Sequence, residues 1–245
     1  MEINVTGAKI IYQNDWFLLS EAVVNTWIVM AFITVLCLIL THNLKVKPTG
    51  KCQVIAEFIV QKVNGLVHEN MGEKFSRFGP LVAATLSICA FSSLSSLLGM
   101  FAPTGDLSTM MGWALVVFVL ITHYKIKSKG LWGYIKGYFE PLPPLMPINV
   151  ISEVMTPMSM AFRHYGNIAS GSIISLLLYA ALAVLSKAVL GLIPGALGDV
   201  LSEIPIFQVG LPAVFSIYFD LFSSCIQAFI FCMLMMVNIS VAAEG

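Results

Sequence analysis

Five stretches of this chain are almost wholly apolar, and polar or glycine- and proline-rich segments separate them. They lie at about 21–41, 79–101, 107–123, 151–186 and 206–243. A helix crossing the hydrocarbon core of a bilayer needs roughly 20 apolar residues, so each stretch predicts a transmembrane helix. The fold class expected is an all-α membrane protein, with residues 1–245 forming a single integral membrane domain in the lipid bilayer. Residues 51–74 follow another pattern: Lys51, Glu57, Lys62, Glu69, Glu73 and Lys74 interleave with Val, Ile, Phe and Leu. That predicts an amphipathic helix lying in the interface. The last two apolar stretches are too long for one crossing. Residues 151–186 would form a helix of roughly 54 Å, against a hydrocarbon core of about 30 Å. They must be steeply tilted, or broken where Gly166 and Gly171 cluster. The loop 187–205 would join them as a hairpin.

The tail 1–20 carries one lysine and no small-residue cleavage site before the first apolar run. The expectation is that it is no signal peptide and that the run after it stays as a span. Composition agrees with a membrane chain: 58% of residues are hydrophobic and 11% charged, far from the quarter charged that is usual for soluble domains. The formal net charge is zero, which points to no nucleic acid partner. The 5 cysteines contain no C-x-x-C pair and read as small buried hydrophobes; no metal and no cofactor is predicted. Charge placement gives the orientation. Lys45, Lys47, Lys51, Lys62, Lys74 and Arg77 sit in the first loop, and Lys125, Lys127, Lys129 and Lys136 in the third. The positive-inside rule puts both loops in the cytoplasm, the N-terminus outside and the C-terminus inside.

Two ionised residues remain deep in apolar helix, Arg163 and Asp220. Each costs about 2.5–3.5 kcal/mol at a helix centre, and such residues usually line a bundle interior or an ion path. At 100° per residue, Asn167 and Ser170 fall within about 40° of Arg163, with Ser159 on its other side. On the last helix Ser216, Asp220, Ser223 and Gln227 share one stripe. Two polar stripes are thus expected to face inward on neighbouring helices. Ser172 lies on the far side from Arg163.

These residues carry a resemblance. The run EVMTPMSMAFRHYGNIASG at 153–171, with Pro157, Ser159, Gly166 and Asn167 around Arg163, resembles the signature helix of the ATP synthase subunit a family. IQAFIF at 226–231 is similar to the family's last helix, with Gln227 in its glutamine position. The FEP…P stretch at 139–147 also looks like the family. Ser172 stands where the family often has an acid or histidine, and His164-Tyr165 replaces the common Leu-Phe. Asp220 stands where relatives carry histidine or glutamate.

The resemblance implies the membrane stator of a rotary F-type ATP synthase in a bacterial inner membrane. Its partners would be a ring of c subunits and the b-subunit peripheral stalk. Two half-channels would pass protons or sodium ions to and from the ring carboxylates. Arg163 would separate them and attract the deprotonated ring carboxylate. Asp220 would be the relay of the outer half-channel, with Glu203 and Ser202 near its mouth and Ser172 and Ser216 hydrating it. Glu153 would serve the inner half-channel, and Gln227 and Asn167 would orient Arg163. His164 would be either a packed side chain or a proton relay. The chain has no GxxxxGK[ST] phosphate loop, so it would not itself make ATP. Two other readings stand beside this one. A secondary transporter also has broken helices and midplane charges, although the halves show no internal repeat. A structural membrane subunit would use an Arg163–Asp220 pair as glue.

Overall fold

The structure is a computed structural model that describes residues 8–14, 17–42, 45, 50–139, 142–190, 215 and 217–244, without the side chains of Asn14, Phe17, Leu18, Leu190, Phe219 and Asp220. Strands β1 (Ile10–Asn14) and β2 (Phe17–Ser20) pair antiparallel, with Tyr12 opposite Leu19. This hairpin occupies the segment read from sequence only as a tail. Helix α1 (Glu21–Thr41) follows directly. Its Trp27, Ile28, Phe32, Val35 and Leu38 are exposed, as lipid-facing side chains should be. A helix suits this setting because it satisfies every backbone polar group internally.

Helix α2 (Lys51–Met71) packs against α1 and α3. A 3-10 segment, Glu73–Phe78, leads into α3 (Gly79–Leu94). Helix α4 (Leu107–Gly137) is capped by Asp106, whose carboxylate accepts from the Ser108 backbone N–H at 3.1 Å. It continues well beyond residue 123, because the lysines after the apolar run still favour helix. Its one break is Gly130, with φ 73 and ψ 166, a backbone region essentially reserved for glycine.

Helix α5 (Met146–Leu190) is a single helix of 45 residues that runs through Pro157, Gly166 and Gly171 without a break. It would measure about 68 Å, and the break expected where Gly166 and Gly171 cluster does not occur. The chain resumes with a π-helical turn, Ile217–Ser223, that feeds α6 (Ser224–Glu244). Helix α6 is the centre of the bundle. Its buried Phe231, Met235, Met236 and Ile239 recur at helical spacing and meet Val67 of α2, Val82 of α3, and Met110 and Val117 of α4. Among the described residues, five helices are long and apolar enough to cross a membrane.

Candidate functional site

Arg163 stands in the middle of α5, 17 residues after its first (146 to 163), or about 26 Å along the axis. That face of the helix is exposed: Thr156, Ser159, Phe162, Arg163 and Ser170 all lie on the surface of the chain. The opposite face is packed, with Pro157, Met160, Ala161, His164 and Gly171 buried. The inward orientation expected for this stripe is therefore corrected at Ser159, Arg163 and Ser170, which lie outward. Helical periodicity fixed the phase of these polar residues relative to one another, but the side buried in the bundle is mostly the apolar one. Among the described residues Arg163 has neither a hydrogen bond nor an ion pair.

Asn167, one turn further on, ties this face to the last helix. Its Oδ1 accepts from the Ser223 hydroxyl at 3.0 Å, and its Nδ2 donates to the Ser223 carbonyl at 3.4 Å. Ser223 closes the π-helical turn that contains Asp220. An i→i+5 turn carries an extra residue, and such bulges are frequent at functional sites. Here it alters the spacing of Asp220, Ser223 and Gln227 from that of a continuous α-helix. Gln227 is buried at the start of α6. Ser172 is exposed, and its hydroxyl donates to the Ala169 carbonyl of its own helix at 2.8 Å. The side chain of Asp220, together with Glu203, Ser202, Ser216 and most of the expected 187–205 loop, lies outside the described residues.

Beside Arg163, His164 is wholly buried. Its Nε2 lies 3.3 Å from the Ser93 hydroxyl, which is in turn 2.9 Å from that of Thr104 and donates to the Cys89 carbonyl. The edge of Phe231 closes over the ring at a centroid distance of 5.9 Å. The packed reading of His164 fits this environment. Ser93 and Thr104 were not expected as its partners. The run of serines in α3, FSSLSS, was the available signal, since hydroxyls in an apolar helix need partners.

Glu153 sits two turns into α5 with its side chain only 6% exposed. Lys125 of α4 lies 3.2 Å from Oε2; the Tyr138 hydroxyl donates to Oε2 at 2.6 Å and that of Tyr134 to Oε1 at 3.2 Å. The two phenol oxygens also contact each other. Burial, with the neighbouring Glu153 and Tyr134, pushes the Tyr138 phenol well above its ordinary range, so it stays a donor. This cluster lines a cleft of about 420 Å³. The carboxylate was expected from the sequence, whereas Lys125, Tyr134 and Tyr138 as its partners were not.

The family model described as "ATP synthase A chain" matches residues 23–240. The chain belongs to the ATP synthase subunit a family. It is 30% identical to ATP synthase subunit a 1 of Crocosphaera subtropica, over 97% of this chain and 94% of that one. It is also 30% identical to ATP synthase subunit a of Desulforamulus reducens, over 94% and 83% of the two chains. A third relative, again 30% identical over 91% and 74%, is the subunit a of Propionigenium modestum, which is named sodium ion specific. The matched region runs from α1 to near the end of α6, so it takes in both helices that carry the polar stripes.

Proposed function

We propose that this chain is the ion-translocating stator of a rotary F-type ATP synthase, non-catalytic by itself, working beside a ring of c subunits and a b-subunit stalk. The observation that carries the reading is the polar face of α5. Arg163, Ser159 and Ser170 are exposed on the middle of a helix that is long and apolar enough to cross a membrane. A guanidinium facing lipid without a partner would be costly, and among the described residues Arg163 has none, so we read this face as meeting a negative group on another molecule. A ring carboxylate that has given up its ion supplies one. Arginine suits the position because its guanidinium keeps its charge where a buried lysine can lose it. It attracts the bare carboxylate and repels passing cations, so the two half-channels stay separate.

In this reading Glu153 serves the inner half-channel at its cleft. Asp220 is the relay of the outer one, with Glu203, Ser172 and Ser216 along it. Asn167 and Gln227 position Arg163 and the water around it. Protons or sodium ions are the cargo; the sodium-specific relative keeps both within the family's range. The membrane is a bacterial inner membrane, with the N-terminus outside and the C-terminus cytoplasmic.

Arg163→Lys tests it. In inverted vesicles the assembled complex should lose ion-driven ATP synthesis by at least tenfold while its subunit content stays normal. If the lysine variant retains synthesis, or if the complex fails to assemble and lysine partly restores it over alanine, the arginine is structural and the reading fails.

A further inference from the structure

Three basic side chains converge at the end of the bundle where α3 begins. Lys74 and Arg77 lie on the 3-10 segment before α3, and Lys127 projects from α4 just ahead of the Gly130 break. Together they line a cleft of about 490 Å³. Its floor is aromatic and preorganised. Phe75, Phe78 and Tyr124 contact one another at centroid distances of 5.7, 6.1 and 5.4 Å and pack onto the hydrophobic core. The Lys127 ammonium stands 5.8 Å over the Tyr124 ring.

Among the described residues no carboxylate lines this cleft, and Lys74, Arg77 and Lys127 form no ion pair. Glu73, next to Lys74, is 3.3 Å from His68 instead. The Glu153 cleft differs in holding a carboxylate of its own, which pairs with Lys125.

We propose that this cleft binds the phosphate of an anionic phospholipid headgroup. Three cations suit a phosphodiester, and basic pockets between transmembrane helices are suited to such headgroups. The apolar floor favours a lipid over free phosphate. Phe78 directly precedes Gly79, where α3 turns into a helix apolar enough to cross the membrane, so a phosphate held here leaves its acyl chains beside that helix. The site is independent of the ion path.

The test uses the intact complex in nanodiscs of phosphatidylcholine containing phosphatidylglycerol. After exchange into neutral detergent, native mass spectrometry counts the retained phosphatidylglycerol. Each cation near a membrane surface strengthens anionic-lipid binding roughly fivefold. The triple variant Lys74→Gln, Arg77→Gln, Lys127→Gln should therefore hold the lipid about a hundredfold more weakly, while Lys74→Arg with Lys127→Arg retains it. If the triple variant does not assemble, each exposed single glutamine variant should still lose lipid measurably. Equal retention in wild type and glutamine variants overturns the proposal. Displacement of the lipid by millimolar inorganic phosphate overturns the lipid assignment and leaves a free-phosphate site.

Discussion

His164 and Arg163 are consecutive residues with opposite surroundings, and the difference sets what each substitution should do. His164 fills a closed space under Phe231 and bonds to Ser93. His164→Ala therefore leaves a cavity and costs on the order of 2–4 kcal/mol, as for other large core side chains. The expected outcome is less assembled complex but unchanged ATP synthesis per assembled complex. A shifted pH profile at normal assembly would instead make His164 a proton relay. Tyr138 offers a second measurement. Its phenol titrates higher in the folded protein than its ordinary value of 10.0, because burial and Glu153 disfavour the phenolate. A raised folded value means the stabilisation is fully present below pH 10.0 and is lost as pH rises above it. Thermal melts of the complex should show this alkaline loss in wild type and a smaller one in Tyr138→Phe; identical pH dependence would refute the assignment.

Between elements, the informative junction is the one joining α5 to the π-helical turn. Asn167 and Ser223 exchange two hydrogen bonds, and at about 0.5–1.5 kcal/mol each they should show clear coupling. A double-mutant cycle of Asn167→Ala and Ser223→Ala, read by thermal stability, is expected to give about 1 kcal/mol of interaction energy. Additive losses would mean the contact does not hold the helices together. The turn itself was not legible in the sequence. Ser216, Asp220, Ser223 and Gln227 fit an α-helical stripe, and nothing in residue types marks where i→i+4 bonding gives way to i→i+5. The Gly130 break is equally silent, since glycine also occurs inside helix, as at Gly166. By contrast the long apolar runs were plain, because crossing lipid imposes a length and a composition that few other settings require. The excess length of α5 followed from simple arithmetic. Whether the helix would break at its glycines depended on packing along its whole length.

For the whole molecule, the question is which surface another subunit covers. Periodicity placed Ser159, Arg163, Asn167 and Ser170 on one side of α5 but could not say which side that was, because the neighbours of a helix are a property of the assembled bundle. The structure turns the Arg163 side outward and packs His164 and Ala161 inward. This makes a directional prediction about a rotor. Exposed Cys37, Cys52 and Cys225 would first be replaced, and buried Cys89 and Cys232 kept. A cysteine at Ser159 or Ser170 should then cross-link to a cysteine on the outer helix of a ring subunit, and the bond should block ATP synthesis reversibly. A cysteine at buried Ala161 should not react. Cross-linking that follows no helical face would argue against a rotor on this side. If Ser159 and Ser170 react only with lipid-soluble reagents and never with a neighbouring subunit, the guanidinium would be facing the bilayer. The cost of that placement would then have to be met within this chain, and Asp220 would become the first residue to examine as its partner.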